Sequence, residues 1–163
     1  MLLVTFLGTL TLGIEIGVLL GFSLSIVSVL YRSSQPNITE MGYLDDVNYF
    51  RSIERYTELN RIKDHLIIRF DDQLYYGNAN YFTDKIVHRF EKNPAKYLVL
   101  DASNIHDIDS TGLKALNEVI EYLEKNNCTF SICKITEPVE DVIQNSGVLK
   151  RKKYEIGVYS SIK

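Results

Sequence analysis

Tyr97-Leu98-Val99-Leu100-Asp101-Ala102-Ser103-Asn104-Ile105-His106-Asp107-Ile108-Asp109-Ser110-Thr111-Gly112 is the stretch on which the reading of this chain turns. Its first five residues form a strand-like apolar run ending in a carboxylate. A polar, turn-forming segment follows. From Ser110 to about Asn126 the period changes to that of a helix, with Leu113, Leu116, Val119, Ile120 and Leu123 as the predicted core stripe. A buried strand that feeds a polar loop ending at a helix N-terminus is where α/β proteins commonly place function.

The same alternation extends on both sides. On the N-terminal side, strands are predicted at Val47–Ile53 and His65–Phe70, with a short third one at Leu74–Tyr76. Asn78 is a predicted N-cap, followed by Ala79, Phe82, Ile86 and Phe90 at helical spacing, and Pro94 stops that helix. On the C-terminal side come a strand at Thr129–Cys133, a short helix opened by Pro138 and ended by Gly147, and a last strand at Tyr154–Tyr159. Strands alternating with helices predict an α/β fold, a central sheet with right-handed crossovers.

Met1–Tyr31 is a different material. It holds no Lys or Arg and a single charge, Glu15, whereas all 18 basic residues lie from Arg32 onward. It lacks the charged start and the small-residue cleavage site of a signal peptide. The reading is a transmembrane segment over 1–31: the end of one helix at 1–12, a break around Gly13, Glu15 and Gly17, and a last helix at 16–31. That helix would be about 24 Å long, short for a ~30 Å hydrocarbon core, so the bilayer would have to thin around it. Glu15 is either a solvated turn residue or an intramembrane carboxylate. Residues 32–42, with Pro36 and a polar cluster, are read as a linker and 43–163 as the soluble domain. Arg32, Arg51, Arg55 and Arg61 follow the apolar run, which predicts a cytoplasmic side for that domain.

The net charge of −3 argues against a nucleic-acid partner. Cys128 and Cys133 have an odd spacing that points them to opposite faces of a strand, so they read as reduced thiols. His65, His88 and His106 are scattered, and Asp101, Asp107 and Asp109 lack the spacing of a metal loop, so neither a metal nor a cofactor is predicted. No nucleophile with a paired base is visible, which predicts a chain that is not an enzyme. Lys150-Arg151-Lys152-Lys153 is either a solvated loop or a contact with anionic headgroups of the membrane.

Four stretches stand in order: Phe6–Leu10 with Gly13–Gly17, Tyr31-Arg32-Ser33-Ser34-Gln35-Pro36, Leu74-Tyr75-Tyr76-Gly77-Asn78-Ala79, and Asp109-Ser110-Thr111-Gly112. Together they resemble the sulfate permease (SulP) family of anion transporters, in its last membrane segment and its STAS domain. The fourth stretch matches the loop signature D-S-[ST]-G, which STAS domains share with anti-sigma-factor antagonists. The resemblance implies a regulatory and structural STAS region of a secondary active transporter, with the upstream transport helices absent from this chain and the closing helix of the domain lacking. Its alternatives are a signalling switch of the antagonist kind and a truncated, non-functional remnant. Candidate partners are the membrane, the transport-domain helices, a second copy in a homodimer of the full transporter, and a protein at the STAS loop. Thr111 stands where the antagonists are phosphorylated. Ser110 and Thr111 are therefore either phosphoacceptors or, with Asp109 and Gly112, only the cap of the helix.

Overall fold

A computed structural model describes residues 2–44, 49–56, 59, 61–147 and 155–156. The chain divides into two compact units, Met1–Gln35 and Pro36–Lys163.

The first unit is a pair of helices, α1 (Leu2–Leu12) and α2 (Ile14–Ser33). Gly13 separates them at φ 91°, a conformation that any side chain would resist. Gly8 and Gly17 are the buried residues of the pair. The large apolar side chains are exposed, Leu19 and Phe22 each by 64%. Two hydroxyls bond within their own helix: Thr9 Oγ1 donates to the Phe6 carbonyl (2.8 Å) and Thr11 Oγ1 to that of Leu7 (2.7 Å). α2 corrects the expected length. It has 20 residues rather than the 16–31 span, about 30 Å, so by length and composition it can cross a membrane without thinning. Glu15 lies in its first turn, where a carboxylate faces the positive end of the helix dipole.

The second unit is a six-stranded sheet of order β2-β1-β3-β4-β5-β6. Its strands are β1 (Ile38–Leu44), β2 (Tyr49–Ser52), β3 (His65–Phe70), β4 (Tyr97–Asp101), β5 (Thr129–Cys133) and β6 (Glu155–Ile156). β1 is antiparallel to both β2 and β3, while β3 through β6 are parallel. Three crossover helices connect the parallel strands: α3 (Ala79–Lys92), α4 (Ser110–Lys125) and α5 (Glu137–Ser146). They bury their apolar stripes against one face of the sheet. Phe82 and Ile86 of α3, Leu116, Val119 and Ile120 of α4, and Val139 and Ile143 of α5 meet Leu66, Ile68, Leu98, Leu100 and Ile132. Phe70 and Phe82 pack edge to face at 5.2 Å. On the other face Met41, Ile67, Val99 and Cys133 form a smaller cluster with Phe50 and Ile62.

Three expectations need correction. The stretch 32–42 is not all linker: α2 runs through Ser33 and β1 starts at Ile38, with the second unit beginning at Pro36. β1 was hidden because Glu40 breaks the apolar pattern. It is buried, and its charge is matched by Arg61 (Nε to Oε1, 2.8 Å) and Arg89 (3.9 Å). Leu74–Tyr76 is not a strand. Only Leu74 pairs, in an isolated parallel bridge with Ile108. The predicted stripe of α4 holds except that Leu113 is half-buried and Ala115 takes its place in the core. Cys128 and Cys133 are free, buried and in different clusters on opposite faces. Burial pushes both thiols up to about 11, away from reactivity.

Candidate functional site at the start of helix four

The loop after β4 is held before it reaches α4. The backbone N–H of Ala102 donates to the Cys133 carbonyl (2.9 Å), and Thr136 Oγ1 donates to that of Ile105 (3.2 Å). Asp101 is buried at the end of β4. Its carboxylate accepts from Lys134 Nζ (2.9 Å) and the Ser103 N–H (3.0 Å). Burial alone would raise this carboxyl. The Lys134 and Ser103 hydrogen bonds outweigh it and hold Asp101 below the ordinary Asp value.

Two segments far apart in sequence then interlock. The Leu74 N–H donates to the Asp107 carbonyl (3.0 Å) and the Asp109 N–H to that of Leu74 (3.1 Å). Asp109 is the N-cap of α4: Oδ1 accepts from the Gly112 N–H (2.7 Å) and Oδ2 from the Tyr76 N–H (3.0 Å). One carboxylate thus closes the helix end and fastens the opposing loop. Asn78 braces that loop from the other side, with its Oδ1 accepting from the Tyr75 N–H (3.0 Å) and its Nδ2 donating to the Gln73 carbonyl (2.9 Å). Asn78 is the N-cap residue of α3 as expected, but its side chain is spent on the loop and makes no capping hydrogen bond. Gly112 explains its own place in the motif. A Cβ there would stand 2.9 Å from the carbonyl carbon of Leu74, so only glycine permits the bridge.

Ser110 and Thr111 are the first two residues of α4. Both are exposed, and neither hydroxyl makes a hydrogen bond among the described residues. Capping therefore falls to Asp109, and the two hydroxyls stand free at the positive end of a helix, a favourable place for an added phosphate. Beside them Tyr76 is 74% exposed, its ring edge to face with Tyr75 at 5.4 Å. In the sequence Tyr76 figures only in the predicted Leu74–Tyr76 strand and the Leu74–Ala79 stretch, although an aromatic residue inside a turn segment signals a side chain with no core to enter.

The three histidines do not meet: His65 lies on β3, stacked on Tyr97 at 4.8 Å, His88 on α3 and His106 in the loop. Among the described residues no group of three or more His, Cys, Asp or Glu side chains could hold a metal ion. The run Lys150, Arg151, Lys152 and Lys153 lies outside the described residues.

The STAS domain profile matches residues 56–162. The chain belongs to the STAS domain family. It is 29% identical over 153 residues to sulfate transporter 4.1, chloroplastic, of Arabidopsis thaliana, covering 87% of this chain and 22% of that one. To high affinity sulfate transporter 2 of Stylosanthes hamata it is 28% identical over 130 residues, covering 74% and 20%. The STAS chain thus spans about a fifth of the length of the curated relatives it matches. Among solved structures it is similar to the murine solute carrier 26 family member A9 anion transporter in the inward-facing state, with a TM-score of 0.79 at 22% identity, covering 96% of this chain and 26% of that one. A Thermotoga maritima protein provisionally described as an anti-sigma factor antagonist matches at a TM-score of 0.53 and 20% identity, covering 60% of this chain and 83% of that one. These structural likenesses establish the fold.

Proposed function

We propose that the chain is the membrane-anchored, cytoplasmic STAS region of a secondary anion transporter of the SulP type, with a regulatory and structural role. The observation that carries this reading is the extent of the match. The likeness to a sulfate transporter runs over 153 residues and the structural likeness over 96% of the chain. α2 adds a helix long and apolar enough to cross a bilayer. The basic residues that follow it, Arg32, Arg51, Arg55 and Arg61, favour the cytoplasmic side for the STAS unit. In this reading residues 2–33 close the membrane part, and the surface formed by Tyr76, Ser110 and Thr111 is where a protein partner or a phosphorylation acts.

The fold it shares with the Thermotoga protein favours a second reading, a soluble signalling switch worked by Thr111. The two diverge on the apolar unit, for which a soluble switch has no use. The test is a chimera in which this chain replaces the matching segment of the Arabidopsis sulfate transporter 4.1, assayed for sulfate uptake with surface expression matched. The chimera is expected to take up sulfate, and a version lacking 36–163 to lose most of that uptake. Equal uptake with and without 36–163 would overturn the reading.

A further inference from the structure

We draw no further inference here: the strongest candidate, the arginine-lined cleft between β1, β2 and the end of β3 on the sheet face opposite the helices, rests on a charge balance set in part by Asp45, Asp46 and Glu58, which lie outside the described residues.

Discussion

Asp109 carries both hydrogen bonds that make the Asp-Ser-Thr-Gly signature a structure, one to the Gly112 N–H and one to the Tyr76 N–H. Its four residues should therefore respond differently to change. Asp109→Ala frees two donors at once and should cost about 1–2 kcal/mol, the upper part of the range for a lost N-cap. Gly112→Ala drives a methyl group into the Leu74 carbonyl and should cost about 1–3 kcal/mol, an overpacking penalty that the backbone can relieve only by opening the bridge. Thr111→Ala and Thr111→Glu should stay within about 0.5 kcal/mol of wild type, since the side chain is exposed and a negative charge suits the helix start. Chemical denaturation of the four variants checks the ranking. If Thr111→Ala falls with Asp109→Ala, the cap has been assigned to the wrong residue. Asp101 gives a pH dependence. Its carboxyl is held below the ordinary value in the folded state, so its contribution is present above the unfolded Asp pKa of about 4 and fades as pH falls through the lower folded value. Asp101→Asn should be less stable at neutral pH and lose less stability on acidification than wild type. Melting temperatures across that acid range decide it, and parallel curves would rule the mechanism out.

At the scale of elements, β1 shows how a strand escapes a pattern search. The sheet buries both of its faces there, Ile38 toward the helices and Met41 toward the smaller cluster, and the charged Glu40 sits on the helix side with its partners supplied by Arg61 and Arg89. Alternation of apolar and polar residues never develops, so Pro36 and its polar neighbours dominate the reading. The consequence can be tested. β1 pairs with both β2 and β3, so a chain cut at residue 43 loses the strand that joins them. Residues 36–163 should fold cooperatively in solution, and residues 43–163 should not, as read by thermal unfolding and amide exchange. Comparable cooperativity in both would show that β1 is peripheral. The short Leu74–Tyr76 segment failed in the opposite direction: its composition is that of a strand, yet only one residue finds a partner, because the chain turns at once into the Asn78 brace.

At the scale of the molecule, the two units expose different surfaces. In α1 and α2 the large apolar residues face outward, and Thr9 and Thr11 bond to carbonyls of their own helix, whereas the STAS unit buries its apolar stripes and exposes charge. A reporter fused after Lys163 is expected to be active only on the cytoplasmic side of the membrane, because no basic residue precedes Arg32 and every one follows it. Activity on the other side would reverse the orientation and place Thr111 beyond the reach of cytoplasmic kinases.

Local physics was legible in the residues alone. Periodicity located the helices of the STAS unit, an apolar run whose single charge before Arg32 is Glu15 marked α2, and Asp109–Gly112 announced a capped helix start, because each of these depends on neighbours within a turn or two. What required the tertiary structure depends on residues brought together from afar. The division of labour within the loop rests on Tyr76, 33 positions from Asp109. Arg61 stands 21 positions from Glu40, and Asn104 stands 33 from Asp71. A hydrogen bond or ion pair across such distances leaves no periodic trace, since its energy is set by where the sheet places two backbones and not by the spacing of residues along either one.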